Sequence, residues 1–165
     1  MKIPTNREGY SRDELKQDYE KLREKHNLPS FQEMNEDFEI EKLDYKTEFL
    51  LREIRRAIME KCSAYVRFIE GFLNPANCPI FVMALIKGIN ISEKKDFEQI
   101  YLKLAKYEIE SVLLDNIYNE KNEAEFVLRV LDDWKETKVK FDEIMKGMLD
   151  GLEVKGEKGE KGYLG

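Results

Sequence analysis

Four arginines on one helical segment, Arg52, Arg55, Arg56 and Arg67, are the most conspicuous chemistry in this 165-residue chain. A guanidinium offers a planar fork of donors that suits phosphates and carboxylates. On a helical wheel Arg52, Arg56 and Arg67 fall almost opposite the apolar stripe, with Arg55 flanking them. Residues 42–73 hold 7 basic and 5 acidic side chains, so this is the only long segment with a positive balance in a chain of net charge −6. A basic stripe of this kind could meet nucleic acid or an acidic partner. It could equally be a solvated face supported by Glu48–Arg52 and Arg56–Glu60 pairs at i, i+4.

A second group of charges falls inside the apolar stripes. Lys61 projects among Leu50, Ile54, Tyr65, Phe68 and Phe72, Glu108 and Asp115 share the stripe of Phe97, Tyr101, Leu104 and Tyr118, and Lys138 lies among Trp134, Phe141 and Met145. An isolated buried ion is costly, so these positions are expected to neutralise one another, with Lys61 answered by Glu108 or Asp115. As a catalytic pair the two acids would lack any accompanying nucleophile or cofactor.

The remaining chemistry is negative. The single histidine, His26, has Arg23 three residues before it, so the Glu-x-x-His pairs of a di-iron bundle are missing, and His26 reads as a helix-end, half-buried residue. Cys62 and Cys78 are too few for a zinc site and sit in helical context, which points to a reducing cytoplasm. A calcium loop starting at Asp115 fails at Ile117, Glu120 and Phe126. Gly71, Gly88 and Gly147 stand alone, so no phosphate-binding loop exists. The longest apolar run, residues 78–86, is about half of what a membrane span requires.

These positions ride on a series of helices. Ser11 with Glu14, and Ser30 with Glu33, have capping-box spacing and open a first helix to about His26 and a short one over residues 31–38. The most regular segment runs from about Lys42 to Leu73. A short helix follows Pro79 and is apolar on every side, which suggests burial, with Gly88 closing it. Ser92 is expected to cap a helix to about Tyr118, and Asn122 a last one from Glu123 to about Asp150, joined by a tight link that forces an antiparallel hairpin. The expected fold is an all-α antiparallel bundle of about four main helices plus two short ones, as one domain over 11–150, between a flexible N-terminus at 1–10 and a disordered Gly/Glu/Lys tail at 151–165.

The segments LPSFQEMNEDFEI at 28–40, FLLREIRR at 49–56 and EAEFVLRVLDDWK at 123–135 resemble a family of small helical archaeal proteins of uncharacterised function. The resemblance covers residues 28–148 and implies an archaeal, cytoplasmic source without implying an activity. Taken together, the sequence points to a non-enzymatic helical-bundle protein that binds a protein partner through an exposed apolar patch, at residues 80–86 or around Phe68 and Phe72. A nucleic-acid-associated protein using Arg52, Arg55, Arg56 and Arg67 is the alternative. No cofactor, metal ligand or membrane span is expected.

Overall fold

The structure, a computed structural model, describes residues 9, 11–43, 46–74, 76, 80–86 and 88–159, with the backbone alone for 81, 84 and 151–159. The fold is all-α. Helix α1 spans Arg12–His26, α2 Phe31–Phe38, α3 Leu50–Leu73, α4 Ile80–Ile86, α5 Ile91–Asn116 and α6 Glu120–Gly159, with a 3-10 turn at Ile40–Lys42 after α2. The chain divides into two compact units. Unit 1 takes residues 1–61 and 107–131, and unit 2 takes 62–106 and 132–165.

Unit 1 begins with the two capping boxes expected from the sequence. The Ser11 and Ser30 hydroxyls accept from the Glu14 and Glu33 N–H groups, and each glutamate reaches back to its serine N–H. Helix α1 ends where Asn27 turns into the left-handed region, φ 54°, which an asparagine tolerates better than most residues. Buried Tyr19 donates to the Pro29 carbonyl at 2.8 Å and meets Phe31 edge-on at 5.6 Å, which fixes α1 against α2. Glu39 then enters the left-handed region, φ 51°, and Leu43 is extended. That break explains why α3 starts at Leu50 and not at Lys42: helical dihedrals cannot run through Leu43. At 24 residues α3 is ~36 Å long.

Helices α5 and α6 start from caps other than the expected ones. Asn90 and Glu93 bind each other's backbone N–H (2.9 and 2.8 Å), because Ser92 has Lys95, which cannot accept, three residues on. Asn119 receives the Asn122 N–H on its side chain at 3.0 Å, so α6 begins three residues before Glu123. In unit 1 the end of α5 and the start of α6 form the expected antiparallel hairpin.

The α6 backbone continues to Gly159, past the end expected near Asp150. Extending an established helix costs only the per-residue propensity, about 1 kcal/mol for a glycine, and avoids the nucleation cost. Residues 160–165 of the expected tail, and nearly all of the expected flexible N-terminus, lie outside the described residues.

Unit 2 is built on aromatic packing. Tyr65 stacks between Trp134 (4.9 Å) and Phe141 (4.2 Å), and Phe68, Phe72 and Phe97 complete the cluster. Helix α4 is less buried than its composition suggested: Val82 and Leu85 are inside, whereas Ile80 and Met83 face solvent. Among the described residues no helix is long and apolar enough to cross a membrane.

Candidate functional site

Three of the four arginines singled out in the sequence come together in unit 1, and they turn inward. Arg55 is fully buried on α3. Its Nε donates to Glu123 Oε2 at 2.6 Å, Nη2 to Asp115 Oδ1 at 2.7 Å, and Nη1 to the Ser111 carbonyl at 3.0 Å and to the Ser111 hydroxyl. Arg52 shares Glu123 at 3.5 Å, donates to the Leu114 carbonyl at 3.3 Å, and lies over the Tyr118 and Phe49 rings at 5.2 and 5.8 Å. Arg56 is half-exposed and pairs with Glu53 at 2.9 Å and Asp115 at 3.1 Å.

The electrostatics follow from this geometry. Burial works to lower the Arg55 pKa, but hydrogen bonds to Glu123 and Asp115 outweigh it and hold the group above its ordinary value. Burial works to raise Asp115, and the Arg55 and Arg56 guanidiniums outweigh that, so its carboxyl sits below the usual range. Burial and the nearby Glu120 and Glu123 charges push the Tyr118 hydroxyl up. With every face of Arg55 engaged, the cluster is a clamp of α3 onto α5 and α6 within unit 1. Arg55 has no free donor to offer a substrate.

The open basic face expected of Arg52, Arg55, Arg56 and Arg67 therefore does not form. Arg56 is exposed but already paired with Glu53 and Asp115, and Arg67 is exposed in unit 2. The expected buried pair of Lys61 with Glu108 or Asp115 is also absent. Lys61 is exposed, and its field reaches Glu39, whose carboxyl is held low chiefly by its bond to Lys42 and then by Lys61. Lys138 is exposed and Glu108 half-buried. Both errors have one cause. The buried stripe of α3 runs through Leu51, Ile54, Arg55, Ile58, Cys62 and Ile69. Treating Arg55 as polar surface rotates the inferred stripe away from it and draws Lys61 in.

Glu123 was missed as a partner. It sits on the α6 stripe with Phe126, Val127 and Val130, a buried acid at an apolar position. That placement was visible in the sequence, but Arg55, 68 residues away, was not visible as its partner.

A second polar tether of unit 1 joins the end of α1 to the start of α6. His26 Nε2 and Lys25 Nζ both lie 2.7 Å from Glu120 Oε1. The bonds from Lys25 and then His26 hold the Glu120 carboxyl below its ordinary range. His26 is thus the half-buried helix-end histidine that its place in the stripe suggested. Among the described residues no cluster of three or more His, Cys, Asp or Glu is placed to hold a metal ion.

The surface of unit 1 carries an unpartnered feature. On α5 the buried residues Tyr107 and Ser111 define one side, while Ile109, Val112 and Leu113 project from the other with 66%, 66% and 63% of their surface exposed. Ile117, just past the helix, extends the strip. Beside Leu113 an open groove of about 520 Å³ runs between α5 and α6, walled by Phe126 and by an Arg129–Glu110 bridge of 2.8 Å. The apolar patch anticipated around Phe68 and Phe72 is mostly interior, since Phe72 is buried. Of the stretch 80–86, Ile80 and Met83 are exposed. In comparison with known proteins, no family model, curated protein or solved structure matches this chain.

Proposed function

We propose that the protein is a non-enzymatic helical interaction protein whose α5 outer face in unit 1 receives an amphipathic helix of a partner protein. The observation that carries this reading is the run of Ile109, Val112, Leu113 and Ile117 in solvent, on the side of α5 opposite its buried residues. Single exposed aliphatics are ordinary, whereas a contiguous group beside a groove marks an interaction surface.

The charge pattern supports a basic partner. The α5 stretch 107–116 holds three acids, Glu108, Glu110 and Asp115, and no basic residue; Asp115 is already answered by Arg55 and Arg56 and Glu110 by Arg129, so the preference for positive charge is small. A partner helix with an apolar stripe and Lys or Arg on its flanks complements it.

The magnitudes agree with a reversible contact. Fully burying an aliphatic side chain yields about 1.5–3 kcal/mol, so four that are roughly two-thirds exposed offer ~4–8 kcal/mol, within the ~4–15 kcal/mol that association costs. The partner's own apolar groups and charges must supply the surplus. The cytoplasmic, archaeal setting belongs to the same proposal and rests on the resemblance of residues 28–148.

The test is a crosslinked pull-down from the source organism with the wild-type chain and an Ile109→Glu/Leu113→Glu variant, alongside sedimentation of each alone. A protein retained by the wild type and lost by the variant is expected, with both chains equally stable. Identical retention by the two chains would refute the reading.

A further inference from the structure

We propose that an apolar cavity in unit 2, where α3 and α4 end and α5 begins, binds a small monocarboxylic acid with an aliphatic or aromatic body of roughly six carbons. The cavity measures about 180 Å³; Phe72, Leu73, Ile86, Ile89, Ile91 and Phe97 form its apolar lining, with Asn90 and Lys94 as its polar members. Its floor is fixed. The Phe72 and Phe97 rings lie 5.3 Å apart and are backed by Phe68 at 5.0 Å and Phe141 at 6.0 Å, so neither can swing in to fill the space. A cleft of this size, walled mainly by Ile, Leu and Phe and open to solvent at its mouth, has room for a benzene-sized guest.

The rim sets the charge of the guest. Lys94 lines the cavity, is exposed, and has no carboxylate partner among the described residues. Glu93, next to it in the chain, is committed to the α5 cap, its carboxylate bound to the Asn90 N–H at 2.8 Å. A carboxylate at the mouth gains a charge-assisted hydrogen bond from the ammonium while its hydrocarbon body covers the apolar lining below. One lysine without an arginine fork suits a monoanion better than a phosphate, which takes several donors. The site is separate from the α5 outer face of unit 1, so neither reading depends on the other.

The experiment titrates hexanoate, and in parallel hexanol, into the full chain and follows backbone amide shifts. Saturable shifts centred on Ile89 and Phe97, with hexanoate bound about five- to tenfold more tightly than hexanol, are expected. Lys94→Gln, an exposed change that leaves the fold intact, should abolish that preference while hexanol binding is retained. Ile89→Phe should remove both by filling the cavity. The proposal is overturned if hexanoate gives no saturable shift up to ~20 mM, or if Lys94→Gln leaves its preference unchanged.

Discussion

Removing Arg55 should be among the most damaging single changes in unit 1, and the structure says how damaging and why. Arg55 and Glu123 are both 0% exposed and 2.6 Å apart. In Arg55→Met the Glu123 carboxylate keeps only Arg52, at 3.5 Å, and a buried pair broken from one side costs ~3–5 kcal/mol. Asp115 is not stranded, because it is 42% exposed and retains Arg56. Glu123→Leu should cost less, ~2–3 kcal/mol, since Arg55 still holds Asp115 at 2.7 Å. The double variant removes both charges and should cost clearly less than the sum of the singles, with a coupling of ~2 kcal/mol or more. Urea denaturation of the four chains measures this cycle. For a chain of this size the Arg55→Met change corresponds to a midpoint drop of ~6–20 °C. A single-site cost below ~1 kcal/mol, or additivity within ~0.5 kcal/mol, would refute the clamp.

Four further outcomes follow from the same structure. Ser30→Ala removes the α2 capping box and should cost ~1 kcal/mol by urea denaturation, whereas Lys61→Ala, at an exposed site, should stay within ~0.5 kcal/mol. Tyr19→Phe deletes the 2.8 Å bond to the Pro29 carbonyl inside the α1–α2 contact and should cost ~1–2 kcal/mol without altering the helical circular dichroism. Acid should destabilise unit 1. Asp115 and Glu120 have folded-state pKa values below their ordinary 3.8 and 4.5, so their contribution is complete above those values and is lost as pH falls through the lower folded ones. The urea midpoint should hold from neutral pH to about 5 and decline below about 4.5, with Glu120→Gln flattening the decline. A midpoint that rises on acidification would count against both tethers.

The parts of this fold legible in the sequence are those whose physics is local. Ser11 with Glu14 and Ser30 with Glu33 are complete within four residues, and Asn27 and Pro29 end α1 by backbone preference alone. The start of α5 was misplaced because a serine was favoured over the asparagine that has a usable partner: Asn90 has Glu93 at the reciprocal position, while Ser92 has Lys95; for α6 the earlier of two asparagines, Asn119, is the cap, with Asn122 donating its N–H to it. The start of α3 depends on Leu43 being extended, and apolar periodicity carries no information about that. The arginines were recognisable as unusual, yet their direction depends on Ser111, Asp115 and Glu123, 56 to 68 residues away. No spacing rule connects residues so distant in the chain.

Helix α5 shows why its outer face was also hidden. A stripe on one side gives a helix a clear apolar direction, but α5 has Phe97, Ile100, Leu104 and Tyr107 inside and Leu102, Ile109, Val112 and Leu113 outside, so the two sides cancel. The inner residues are answerable to folding, since burial removes them from water. The outer ones meet water in the folded and unfolded chain alike, so they add close to nothing to the stability of the isolated protein. In a chain that is 38% charged, polar residues were plentiful for those positions. The proposed docking of a partner helix would bury these aliphatics after folding, which is the role that folding itself does not give them.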